Sequence, residues 1–238
     1  MSFSAFDPLE VIFRSLDRWR NLPAYQLERR ADIFFAVYLR DIVAETTGLE
    51  LAETVIPELP IKRDLIWSAS PTNTSVKVDY CLCAKDLSRV FFVELKTDAA
   101  SRRDSQDEYL QAAERLGFRA VVEGVRAIAL ASTSYQKYYH LLTELAVLGF
   151  LSLPSDLESL VFPRPQRGVR KHLEQIAVAD RDAPIEVIYV QPKSLPGERC
   201  IDFDLFANFV ERYDDPFSRA FAKSLRRWTT EAGAEPPG

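Results

Sequence analysis

Apolar positions recur at three- and four-residue intervals over residues 24–46, where Leu27, Ala31, Phe34, Phe35, Tyr38, Leu39, Ile42 and Val43 line one face of a predicted helix. Pro23 suits its first turn and Gly48 its end. A weaker helical pattern precedes it at residues 8–20. Residues 49–75 lose the period, carry Pro57, Pro60 and Pro71, and hold one predicted strand over residues 58–66 before the polar turn SPTNTS. Two β-type runs follow, SVKVDYCLC at 75–83 and RVFFVELK at 89–96, and the short polar link AKDLS makes them a predicted antiparallel hairpin. A helix is expected over 104–116, ending at Gly117, then a strand VRAIALA at 125–131 and a helix over 134–149.

This order reads as an α/β fold with a mixed sheet flanked by helices, because the hairpin is antiparallel and a strand returning after a helix is a crossover. Residues 153–170 are rich in proline and arginine, with PRPQRGVRK as their basic core, and read as a loop or linker. A last strand, IEVIYV at 185–190, precedes two short helices over 203–212 and 216–230. The predicted organisation is an α/β core over residues 1–150, a C-terminal α/β extension over 151–231 on the same sheet, and a disordered tail over 232–238.

Composition narrows the class of protein. With 47% apolar and 27% charged residues among 238, a packed core rather than disorder is expected. The longest apolar stretch, LAVLGFLSL at 145–153, is half of the roughly 18 residues that mark a membrane span. The N-terminus has no signal-peptide pattern and the three cysteines are too few for a disulfide framework, so the expected location is cytoplasmic, without a membrane partner. A net charge of -5 gives no global field that would draw nucleic acid, which leaves local patches to do so. The sequence leaves room for a homodimer or a larger assembly.

Alternation along the hairpin carries the chemistry. Side chains two apart share a strand face, so Lys77, Asp79, Cys81 and Cys83 lie together, as do Phe92, Glu94 and Lys96. A turn centred between Asp86 and Leu87 sets Asp79 opposite Glu94 and Lys77 opposite Lys96. Two carboxylates facing each other repel unless a positive charge lies between them. A divalent cation resolves that conflict, and Mg²⁺ takes one or two carboxylates together with water and phosphate oxygens. Lys96 beside the cation would orient or activate a water molecule. The same alternation also marks a sheet with one solvated face, and the opposed Asp79 is what argues for chemistry instead.

Asp79, a fourteen-residue spacer and then Glu94-Leu95-Lys96 resemble the PD-(D/E)xK nuclease superfamily motif, with Val78 in the place of the proline. The element order over residues 24–131 is similar to that family's restriction-endonuclease-like αβββαβ core. The resemblance implies Asp79, Glu94 and Lys96 as catalytic residues, with Asp79, Glu94 and the Leu95 backbone carbonyl holding Mg²⁺ or Mn²⁺. It also implies an extra acid on the long first helix, Glu28 or its competitor Asp32 one turn later. Arg102, Arg103 and Gln106, after the motif, would bind nucleic acid, DNA ahead of RNA. The function expected is metal-dependent phosphodiester hydrolysis, and the alternative is a non-catalytic interaction module on the same fold. On this reading Lys96→Ala removes cleavage and leaves folding intact.

Other features point elsewhere only weakly. Cys81 and Cys83 lack the further ligands a structural zinc site needs and read as small buried hydrophobes. No G-x-S-x-G or phosphate-binding glycine motif occurs. Two basic clusters, Arg164, Arg167, Arg170 and Lys171, and Arg219, Lys223, Arg226 and Arg227 with Trp228, read either as solvated faces or as contacts to a phosphate backbone.

Overall fold

Hydrogen-bonded strands order themselves β1-β2-β3-β6-β7 in one five-stranded sheet, with a separate two-stranded ribbon, β4-β5. The computed structural model describes residues 8–20, 26–67, 74–97 and 104–231. The elements are α1 (Pro8–Trp19), α2 (Glu28–Thr47), β1 (Leu51–Lys62), a 3₁₀ turn (Arg63–Leu65), β2 (Ser75–Ala84), β3 (Val90–Leu95), α3 (Asp104–Leu116), α4 (Phe118–Ala131) and α5 (Tyr135–Val147). They continue as β4 (Leu151–Ser152), α6 (Leu157–Val161), α7 (Val169–Leu173), β5 (Ala177–Val178), β6 (Ile185–Gln191), β7 (Cys200–Asp202), α8 (Phe203–Val210) and α9 (Pro216–Glu231). The fold is α/β with a mixed sheet, as the sequence predicts.

The hairpin register is the predicted one. Tyr80 pairs with Val93, Cys81 with Phe92, Leu82 with Phe91 and Cys83 with Val90. β1 pairs antiparallel with β2 and lies at the sheet edge, the position in a sheet where prolines such as Pro57 and Pro60 are tolerated. At an edge, a residue without an N–H can face away from the ladder at no cost. The strand expected over 58–66 instead begins at Leu51, ends at Lys62 and gives way to the 3₁₀ turn.

Residues 125–131 correct the expected topology, for they are the second half of helix α4 and not a strand. Val121, Val122, Val125, Ile128 and Ala129 are buried at helical spacing, and packing of that stripe outweighs the β preference of the valines and isoleucine. The parallel neighbour of β3 is β6 instead. Val90 N–H donates to the Pro184 carbonyl and Lys96 N–H to that of Val190, so the two strands advance in step. β7 extends the parallel part, with Tyr189 opposite Cys200 and Gln191 opposite Asp202. The proline-rich stretch after Leu153 is likewise no linker, since Leu157, Val161, Val169 and Leu173 of α6 and α7 are buried. The first long helix, expected from residue 24, begins at Glu28; residues 24–25, most of SPTNTS and the tail at 232–238 lie outside the described residues.

The chain forms two compact units. One comprises Met1–Gly48, Glu94–Arg103 and Ile188–Gly238; the other comprises Leu49–Val93 and Asp104–Val187. The core of the first is aromatic. Phe35 packs edge-on against Phe206 and Phe221, with ring centroids at 5.2 and 5.1 Å, and Trp228 is fully buried beside them. At its rim Asp17 of α1 accepts from the Trp228 indole at 2.9 Å. In the second unit α4 lies against β1, where Gly124 leaves room for the side chains of Lys62 and Leu65, and Phe118 stacks edge-on with Phe150 at 4.6 Å. No helix among the described residues is long and apolar enough to cross a membrane.

Candidate active site

β3 is buried at all six positions, because it is a central strand with a neighbour on each side and apolar cover on both faces. A carboxylate on such a strand is costly unless it is paired. Glu94, 1% exposed, is paired with Lys96, 2% exposed, whose Nζ donates to Glu94 Oε1 at 2.8 Å. The alternation of this strand is therefore not that of a solvated sheet face. The burial also corrects the expectation that Lys96→Ala would leave folding intact, since it would strip a buried carboxylate of its cation.

The surroundings of the pair follow from the parallel half of the sheet. Among the described residues, buried polar or charged side chains are few, and Glu94, Lys96, Thr97 and Gln191 gather at the carboxyl ends of β3 and β6. Carboxyl ends of neighbouring parallel strands are where open α/β sheets place their ligand sites. There the side chains are held by the backbone ladder, here by Lys96 N–H on the Val190 carbonyl at 2.8 Å. Arg20 Nη2 reaches the Thr97 carbonyl at 3.4 Å while its guanidinium lies 5.7 Å from the Trp228 ring centroid. Gln191 donates through Nε2 to the Lys193 carbonyl at 3.0 Å.

Arg20, Thr97 and Gln191 escaped the sequence reading. For Gln191 a signal exists, an amide closing the otherwise apolar end of IEVIYVQ. For Arg20 there is none, as 77 residues separate it from the carbonyl it contacts.

The remaining expected residues are distributed between the units. Glu28, half-buried, opens α2, and Asp32 is exposed on its outer side, its Oδ1 accepting from the Ile33 N–H at 2.7 Å; both belong to the unit that holds Glu94, Leu95 and Lys96. Asp79, half-buried on β2, and Gln106, half-buried on α3, belong to the other unit. The described β2–β3 pairs end at Tyr80–Val93, one step short of the pair predicted between Asp79 and Glu94. Arg102 and Arg103 lie outside the described residues. Near Asp79, the Tyr109 hydroxyl of α3 donates to the Lys77 carbonyl at 3.0 Å, which ties α3 to β2.

Among the described residues no group of three or more His, Cys, Asp or Glu is arranged to hold a metal ion. The donors named from the sequence, two carboxylates and a backbone carbonyl, are hard oxygens of the kind Mg²⁺ and Mn²⁺ take, and such a set relies on water and substrate for its other ligands. Cys81 and Cys83 are fully buried free thiols, and burial pushes the Cys81 thiol well above its ordinary value. Both are apolar packing, as expected.

No known family model, curated protein or solved structure matches the chain.

Proposed function

We propose that the protein is a metal-dependent nuclease acting on phosphodiester bonds, with DNA as the first substrate to test. The observation that carries the reading is the buried Glu94–Lys96 pair at the carboxyl end of a central strand, where an ion pair contributes little to stability that apolar residues would not. Asp79 and Glu94, with the Leu95 carbonyl, are the residues that would hold Mg²⁺ or Mn²⁺. Such a cation supplies charge stabilisation at a phosphate and lowers the pKa of a water bound to it. Lys96 has three N–H donors and spends one on Glu94, so the others serve to orient a water or to offset charge on phosphate oxygens. Glu28 is the preferred additional acid over Asp32, because it is the less exposed of the two. This reading extends the PD-(D/E)xK resemblance of the motif.

The test is cleavage of plasmid and of single-stranded DNA in Mg²⁺ and in Mn²⁺ by the wild type, Asp79→Asn and Glu94→Gln, beside a calorimetric Mn²⁺ titration of the same three proteins. Metal-dependent cleavage by the wild type, lost in both variants, is the expected result. Equal cleavage by Asp79→Asn refutes the assignment. A second reading, a non-catalytic module on the same scaffold, draws on the near-complete burial of Glu94 and Lys96, which leaves little surface for a substrate to touch. It expects no Mn²⁺ binding and no cleavage by the wild type.

A further inference from the structure

We infer that the outer face of α8 and α9 is a docking groove for the phosphate backbone of a nucleic acid. The concavity, of about 540 Å³, is lined by Glu211, Arg219, Lys223, Arg226, Arg227 and Thr230, and lies wholly within one unit. The inference rests on the nuclease reading for the kind of polyanion it names.

The face follows from the sequence of α9. Phe221, Ala222, Leu225 and Trp228 are buried against α1 and α8, so residues 219, 223, 227 and 230 turn outward as one stripe. Four residues of helix advance about 6 Å, so Arg219 and Lys223 present cations one helical turn apart along it, with Arg227 continuing the stripe but held by Asp17. A repeating row of cations suits a repeating row of phosphates.

The acids around the stripe neutralise its members unequally. Arg227 is tied inward, its Nη1 at 2.5 Å from Asp17, which is 11% exposed and also accepts from the Trp228 indole. Arg226 donates through both guanidinium nitrogens to Glu211, which holds that carboxyl below the ordinary range, and also to Asn208 at 2.9 Å. Among the described residues Arg219 pairs with Asp214, a side chain 96% exposed, and is also attracted by the Asp215 carboxylate, while no ion pair involves Lys223. An exposed pair such as Arg219–Asp214 is weak and screened by salt, so a phosphate competes for its arginine readily. Arg219 and Lys223 are therefore the cations offered to a ligand, while Arg226 and Arg227 shape the groove. Trp228 is buried and supplies no stacking platform, so the contact should follow backbone charge without discriminating bases.

The experiment is fluorescence anisotropy of labelled single-stranded and duplex oligonucleotides with the full chain in EDTA, across a salt series. The variants are Arg219→Glu/Lys223→Glu, its charge-neutral counterpart Arg219→Gln/Lys223→Gln, and a control reversal on the other basic stretch, Arg164→Glu/Arg167→Glu. Expected are at least tenfold weaker binding for the first, an intermediate loss for the second, and a log-log salt slope shallower by about 1.5 for two phosphate contacts. Wild-type affinity in Arg219→Glu/Lys223→Glu overturns the inference. So does an equal loss in the control, or equally tight binding of an acidic peptide of matching charge. Because EDTA removes metal-dependent cleavage from the measurement, binding without any cleavage elsewhere would refute the nuclease reading alone, and cleavage without loss in the groove variants would refute the groove alone.

Discussion

Lys96→Met is the substitution whose outcome the structure determines most sharply. It keeps an unbranched side chain, one atom shorter, and removes the cation that Glu94 Oε1 meets at 2.8 Å, at a site where the two groups are 2% and 1% exposed. Removing one partner of a buried pair costs about 3–5 kcal/mol, because the remaining charge stays in a low-dielectric surrounding. For a chain of this length each kcal/mol lowers the melting temperature by about 2–4 °C, so a fall of about 6–20 °C is expected. Replacing both residues, as Glu94→Leu/Lys96→Met, removes the two desolvation costs together and should restore the wild-type melting temperature or exceed it, as apolar replacements of buried pairs gain about 1–4 kcal/mol in favourable cases. Thermal and urea unfolding of the three proteins measure this directly, and a cleavage assay run alongside separates stability from function, since the stable double variant should be inactive. A fall below about 3 °C for Lys96→Met, which is about 1 kcal/mol, would refute the premise that this pair is buried and mutually dependent. A double variant as unstable as the single one would show that the penalty has another source.

Two further outcomes follow from packing and ionisation. Gly117 joins α3 to α4 at a φ of +79°, and a β-carbon there would stand 2.5 Å from Asp182 Oδ2, so Gly117→Ala should cost about 1–3 kcal/mol in urea unfolding. An unchanged midpoint would show that the junction relaxes freely. Burial raises the Cys81 thiol well above its ordinary value, so the folded state keeps a proton that the unfolded chain releases near pH 8.5. Its contribution to stability is complete below that pH and declines as pH rises above it. Unfolding midpoints at pH 7.5 and pH 9.5 in wild type and Cys81→Ala should therefore converge at the higher pH, and Cys81 should resist alkylation in the native protein.

Local signals were sufficient wherever one interaction range dominated. The three-and-four spacing over 24–46 and 104–116 foretold α2 and α3, since a helix buries one stripe whatever it packs against. The polar link between the two β-type runs set the hairpin register, because a short turn leaves few ways to pair its flanking strands. The acid-and-lysine spacing of Glu94 and Lys96 was legible for the same reason, as a strand returns to one face every second residue. What lay beyond reach depends on partners distant in the chain. The valines of 121–131 are equally compatible with a strand, and only the surfaces that α4 meets make them a helix. That β6 and not residues 125–131 runs beside β3 is a pairing across about 90 residues, for which the sequence holds no local mark. The burial of Lys96, the reach of Arg20 to Thr97 and the unequal neutralisation of the α9 cations are tertiary facts of the same kind, because cover, distance and opposing charge are supplied by segments that the neighbouring residues do not specify.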